Sequence, residues 1–236
     1  MRFKSELVRG TLVKRYKRFL ADVLLDSGEA ITAACPNTGS MLGLNEPGNA
    51  VWLSRSESPT RKYPHTWELV DIPDRGLVGI NTSHPNQIVR DAISQQRIGA
   101  LSGYSSLRSE IKYGQNSRID LLLEDTNRPP CYVEVKNVHL FRKPGLAEFP
   151  DCVTERGTKH LVELANMVKA GARAVMVYLI QCDKPSRFGL ADDKDPVYFN
   201  QFKTARLSGV EALALTCHVS TREISFYQEI PIVDMR

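Results

Sequence analysis

The sequence predicts a two-domain chain combining α+β and α/β organisation: a small β-barrel over residues 1–82 and an αβββαβ domain over residues 83–236. Three observations predict it. Five short apolar segments punctuated by Gly and Pro fill the first third of the chain. Helical periodicity enters only after residue 82, and two strand-patterned segments, Ser117-Arg118-Ile119-Asp120-Leu121-Leu122-Leu123 and Tyr132-Val133-Glu134-Val135-Lys136, then flank a turn at Asn127-Arg128-Pro129-Pro130.

In the first domain the strand candidates are residues 7–13, 19–25, 30–34, 50–53 and 67–70. Ser27-Gly28, Cys35-Pro36-Asn37-Thr38-Gly39 and Glu46-Pro47-Gly48-Asn49 separate them as turns, and five such strands close most simply into a barrel. Two stretches interleave cations with aromatics: Lys14-Arg15-Tyr16-Lys17-Arg18-Phe19 and Arg61-Lys62-Tyr63-Pro64-His65-Thr66-Trp67. Cations neutralise phosphates and rings stack on bases, so Arg15, Tyr16, Lys17, Arg18, Arg61 and Lys62 are candidate DNA contacts. The competing reading is solvated loop charge over core aromatics. Cys35 has no assignable His or Asp partner and reads as a loop thiol.

After residue 82, Asn81-Thr82-Ser83-His84-Pro85 offers a helix start, and residues 87–98 place Ile88, Val89, Ala92 and Ile93 on one face before Gly99. Strands follow over 107–113, 118–124 and 132–139, then a Pro/Gly-rich connection over 141–150. Residues 158–170 form an amphipathic helix with Leu161, Leu164, Ala165 and Val168 inward and Gly171 as its stop. The apolar run 172–181 reads as a buried strand. Residues 183–195 read as an exposed loop whose Asp192-Asp193-Lys194-Asp195 cluster is a minor cation-site candidate, before a helix over 199–207 and closing strands over 210–219 and 223–228.

The chemistry gathers at the hairpin. Asp120 and Glu134 each lie seven residues from Asn127, so an unbulged antiparallel hairpin sets the carboxylates opposite one another. Lys136 shares the Glu134 face, about 6.5–7 Å along the strand. Facing carboxylates repel unless a cation lies between them, and a hard divalent ion, Mg²⁺ or Mn²⁺, suits oxygen ligands. Beside such an ion an ammonium can steady charge on a phosphate, which is nuclease chemistry. The alternative is cross-strand charge on a solvated sheet face. Arg156, Lys159 and His160 in the following helix's first turns suit a phosphate, or else Thr154 or Thr158 simply caps that helix. His84, His139 and His218 read as packed or solvated side chains.

Net charge of +4 and a pI of 8.8 are compatible with a polyanionic partner. Five scattered cysteines without a Cys-x-x-Cys argue against a disulfide framework or zinc knuckle. With no membrane-length apolar run and no signal-peptide core, the expected location is the cytoplasm and no membrane partner is expected.

The element order, with an acid on the second strand and Glu-x-Lys on the third, resembles the PD-(D/E)xK nuclease superfamily. More specifically, the chain resembles the SfsA family. The resemblance rests on Arg15-Tyr16-Lys17-Arg18-Phe19-Leu20-Ala21-Asp22, Cys35-Pro36-Asn37-Thr38-Gly39, Arg61-Lys62-Tyr63-Pro64-His65-Thr66-Trp67-Glu68-Leu69, Lys112-Tyr113-Gly114, Ser117-Arg118-Ile119-Asp120, Glu134-Val135-Lys136 and Thr154-Glu155-Arg156-Gly157-Thr158-Lys159-His160-Leu161. It implies an OB-fold-like first domain, a restriction-endonuclease-like second domain and DNA binding, largely through the backbone and without strong sequence preference. Asp120 matches the motif Asp, with Ile119 where the superfamily has Pro; Glu134 matches the second acid and Lys136 the lysine. The further upstream acid common in the superfamily is assigned to Glu110 as a third metal ligand, with Asn116 and Ser117 shaping the turn. The alternative implied is a non-catalytic DNA-binding regulator of sugar (maltose-type) metabolism.

Overall fold

Alternating burial closes the first domain. Strands β1 (Val8–Tyr16), β2 (Leu20–Leu25), β3 (Ala30–Ala34), β4 (Ala50–Arg55), β5 (His65–Ile72) and β6 (Gly76–Gly79) run in sheet order β3-β2-β1-β4-β5-β6. A parallel bridge from Ala34 to Thr66 joins β3 to β5 and makes the first five a closed barrel, which leaves no open edge between them. Leu12, Val23, Ala33, Leu53 and Trp67 fill its interior. The short β6, absent from the sequence expectation, pairs with β5. The computed structural model describes residues 1–114 and 117–233, so the expected turn role of Asn116 lies outside the described residues.

The second domain is built on a six-stranded sheet, β15-β14-β12-β9-β8-β7. Its strands are β7 (Ser106–Tyr113), β8 (Ser117–Asp125), β9 (Arg128–Val138), β12 (Arg173–Ile180), β14 (Glu211–Val219) and β15 (Ile224–Ile230). The apolar run is central β12, parallel to both β9 and β14 and buried from Ala174 to Ile180, as both-face coverage requires. One face packs Ile88, Val89, Ala92 and Ile93 of α1 (Pro85–Ser94) against Leu121, Val133, Val135 and Val177. The other packs Leu161, Leu164 and Ala165 of α2 (Glu155–Lys169) and Tyr198 and Phe202 of α3 (Pro196–Leu207) against Met176 and Tyr178. Each buried Ile, Val, Leu, Met or Phe among them contributes about 1.5–3 kcal/mol.

Several expectations need correction. The first helix ends at Ser94 and not near Ile98, because Gln96 turns left-handed at φ +55 and Ile98 leads into a 3-10 turn. The 141–150 connection contains a hairpin, β10 (Leu140–Lys143) and β11 (Leu146–Phe149), turning at Pro144-Gly145. The 183–195 loop contains β13 (Arg187–Leu190), parallel to β11, and β16 (Ile232–Val233) completes this second sheet. Four-residue strands bracketed by Pro and Gly carry too little periodicity to be read. The hairpin turn itself sits at Thr126-Asn127, earlier than expected, and the β8–β9 register shifts between Leu123 and Asp125. Pro129 and Pro130 are tolerated because β9 pairs with β12 only from Cys131 onward.

The acidic 192–195 cluster is structural. Arg142 donates to Asp193 at 2.6 and 2.8 Å and to Glu148 at 2.7 and 2.9 Å. Asp195, 1% exposed, caps α3 through Tyr198 N–H at 2.9 Å and accepts from Thr154 N–H at 2.8 Å. Asp195→Ala leaves both donors unpaired; a loss of about 1.5 kcal/mol and a Tm lowered by roughly 3–6 °C are expected in calorimetry. An unchanged Tm would mean water replaces the carboxylate.

Polar contacts stitch the domains together. Gly79 N–H donates to Gln181 O at 2.9 Å, Asn37 Nδ2 lies 3.0 Å from His139 Nδ1, and His84 Nε2 meets Glu68 Oε2 at 2.8 Å. The Cys35 thiol is buried beneath this seam, and burial pushes its pKa up, which suits an inert thiol.

Candidate active site

The β8–β9 hairpin delivers the acids. Leu121↔Val133 is the last paired position before the motif, so Asp120 stands in register with Glu134. There the strands part: Val135 N–H donates to Asp120 Oδ2 at 2.7 Å in place of a backbone acceptor. Asn86, in the first turn of α1, donates its Nδ2 to Asp120 Oδ1 at 2.8 Å. Asp120 therefore fastens a helix start to a strand.

Glu134 is 2% exposed. Its Oε1 accepts from Lys136 Nζ at 2.8 Å and contacts His160 Nδ1, while its Oε2 is buried without a hydrogen-bond partner among the described residues. Lys136 Nζ lies 3.2 Å from His160 Nδ1, and Arg156 Nε donates to His160 Nε2 at 3.4 Å. Burial pushes the Glu134 carboxyl up, but the hydrogen bonds and charges of His160 and Lys136 outweigh it and hold the pKa below the usual value. Asp120 goes the other way: burial and the Glu134 charge raise it to about 6, against the hydrogen bonds from Val135 and Asn86 and the Lys136 charge.

Further buried polar atoms lie around this pair. Both Glu163 carboxylate oxygens and the Tyr113 hydroxyl are buried and make no hydrogen bond among the described residues. Burial and the charges of Glu134, Glu163 and Asp120 push the Tyr113 pKa far up. Glu163 lies on α2, one turn beyond His160, against Gly114, where an added Cβ would sit 3.1 Å from Oε1. Asn86, Tyr113 and Glu163 were absent from the sequence expectation. An acid at an inward position three residues after His160 is the one signal that pointed to Glu163.

Glu110 does not join the pair as expected. It falls between Ser109↔Leu121 and Ile111↔Ile119, hence opposite Asp120, but it is exposed and left-handed at φ +57. Among the described residues no group of three or more His, Cys, Asp or Glu side chains has metal-holding geometry.

Two family models match the chain: the SfsA N-terminal OB domain over residues 13–80 and the sugar fermentation stimulation protein RE domain over residues 83–223. The chain belongs to the SfsA family. A sugar fermentation stimulation protein homolog from Brucella ovis is 56% identical over 236 residues, spanning 100% of this chain and 99% of that one. The homolog from Brucella melitensis is 55% identical over the same coverage. The solved structure of Pyrococcus furiosus SfsA in complex with Ca²⁺ superposes with a TM-score of 0.88 at 24% identity, covering 99% of this chain and 98% of that one, and shares its fold.

In this SfsA-family chain the basic candidates divide. Arg15 is committed to its own domain: one terminal nitrogen donates to Arg18 O, Asn37 O and Gly39 O at 2.8–2.9 Å. Arg18 likewise holds Thr38 O at 2.6 and 2.9 Å, and Tyr16 donates to Asp22 at 3.0 Å. The 37–39 loop these arginines brace continues to Ser40, whose N–H and hydroxyl donate to Asp151 Oδ2. The β1–β2 turn, with Lys17 exposed at φ +50, is thereby held near the start of α2. Arg61 donates to Thr66 Oγ1 at 2.7 Å and Lys62 lies over the Tyr63 ring; among the described residues neither contacts the acids. In α2, Thr154 Oγ1 caps Gly157 N–H at 3.1 Å, so the capping reading holds there. Lys159 lies 3.8 Å from Glu163, whereas His160, 4% exposed, faces Glu134 and not solvent.

Proposed function

We propose that this chain binds DNA through backbone phosphates and hydrolyses phosphodiesters with a divalent cation, Mg²⁺ or Mn²⁺, in a reducing cytoplasm. One observation carries the catalytic part: the buried, unpartnered Glu134 Oε2 stands beside an Asp120 carboxyl raised to about 6. Burying such an oxygen unpaired costs about 1–3 kcal/mol, and a hard cation removes that cost. Each Asp120 oxygen spends one lone pair on Asn86 or Val135 and retains another, so Asp120 and Glu134 together fit such an ion. The Ca²⁺ complex of the Pyrococcus furiosus protein is consistent with that donor set. A divalent ion would supply charge neutralisation and an acidified water.

The chain's own residues do the rest. His160 holds Glu134 in orientation, leaving Oε2 for the ion. The Lys136 ammonium, its side chain 15% exposed, steadies charge on the phosphate and orients the attacking water. Arg156 and Lys159, in the first two turns of α2, face the entering phosphate with the positive end of the helix dipole. All five cysteines are free, and no helix among the described residues is long and apolar enough to cross a membrane.

A second reading is a DNA-binding regulator of sugar metabolism without catalysis. It is favoured by the internal neutralisation of Glu134 by Lys136 and His160, which needs no metal. Supercoiled plasmid and linear single strands incubated with Mg²⁺, Mn²⁺ or EDTA separate the two. Metal-dependent nicking supports the nuclease. Binding at low salt with no nicking in any metal supports the regulator.

A further inference from the structure

Lys112 and Arg118 are direct cross-strand partners on the β7–β8 ribbon. Both are exposed, and with Tyr113, Gly114 and Ser117 they line a recess of about 390 Å³. Like charges directly opposite one another repel, so the pair is unfavourable alone. Neither makes a hydrogen bond, ion pair or ring contact among the described residues. Elsewhere the ribbon neutralises its cations: Arg108 grips Glu124 at 2.8 and 2.9 Å. Glu110, two residues before Lys112, is the nearest acid on that strand and forms no ion pair with either.

The backbone aims this pair. Glu110 is left-handed at φ +57 inside a strand, a conformation strained for a non-glycine residue. Across from it the sheet faces change over: Ile119 packs in the layer under α2, but Leu121 packs in the layer under α1. Such an irregularity bends a ribbon and redirects the side chains beyond it. Arg118 lies two residues before Asp120 on β8.

We infer that Lys112 and Arg118 clamp a DNA backbone phosphate adjoining the one presented to Asp120 and Glu134. The inference rests on the DNA-binding reading above. The guanidinium supplies a bidentate fork and the ammonium a point charge, and the anion between them removes their mutual repulsion.

The test is fluorescence anisotropy of a labelled 20-base-pair duplex in EDTA, titrated across salt, with the parent, Lys112→Gln/Arg118→Gln and Lys169→Gln. Two lost phosphate contacts should make the slope of log K against log[salt] shallower by about 1.8, with Lys169→Gln unchanged. Without DNA, the double variant should melt no lower than the parent, since repulsion is relieved. A parental slope in the double variant overturns the clamp and leaves DNA binding standing. A melting point lowered by several degrees assigns the pair a structural role and overturns the clamp also. A parent that binds no duplex at any salt overturns both.

Discussion

Lys136→Met should lower metal-dependent nicking by about 10²–10³-fold, the usual effect of removing one charge-stabilising donor. Its Nζ lies 2.8 Å from Glu134 Oε1 and 3.2 Å from His160 Nδ1, carried on the same strand as Glu134. Methionine keeps the aliphatic stem and removes only the ammonium, so packing is nearly conserved. Glu134 retains His160, and the variant should fold with reduced stability. DNA affinity should fall little, because the proposed phosphate contacts at Arg156, Lys159, Lys112 and Arg118 are untouched. Plasmid nicking rates with Mn²⁺, measured well below the melting temperature alongside duplex affinity, check it. Parental nicking by Lys136→Met would remove the lysine from the chemistry, whereas loss of binding in step with nicking would make it a DNA contact.

The hairpin was legible because strand alternation and turn chemistry are local. Counting outward from Asn127 paired Asp120 with Glu134, and the pairing survives both an earlier turn and an irregularity between Leu123 and Asp125. The barrel strands were legible for the same reason. What escaped depends on contacts distant in sequence: Asn86 reaches Asp120 across 34 residues, and His160 reaches Glu134 across 26. Arg15 and Arg18 read as free cations because nothing local shows that the carbonyls of residues 37–39 will consume their donors. The second sheet escaped because its strands are too short to carry a period. Glu110 stands opposite Asp120 by register, but its left-handed backbone and exposure are properties no spacing rule reports.

Asp120→Asn should stabilise the metal-free protein at neutral pH while abolishing its stabilisation by Ca²⁺. A carboxyl raised to about 6 keeps its proton in the folded state while the unfolded one, near 3.8, has lost it. Between those values the folded state binds more protons, so stability falls as pH rises from about 4 to about 6 and stays low above. Glu134, held below its usual value, acts oppositely, adding stability that is lost as pH falls below the carboxylate range. The asparagine cannot ionise, and its carbonyl can still accept from Val135 N–H at the 2.7 Å position. After allowance for partial solvent screening, a gain of about 2 kcal/mol, or roughly 4–8 °C in Tm, is expected at pH 8 in EDTA, vanishing near pH 4. Saturating Ca²⁺ at about 100 Kd should add about 2.7 kcal/mol to the parent and nothing to the variant. Melting curves at pH 4, 6 and 8 with EDTA or Ca²⁺ read all of these. A variant destabilised at pH 8 would show that the bonds to Asn86 and Val135 outweigh the charge repulsion between the acids. An equal Ca²⁺ gain in both proteins would place the ion away from Asp120.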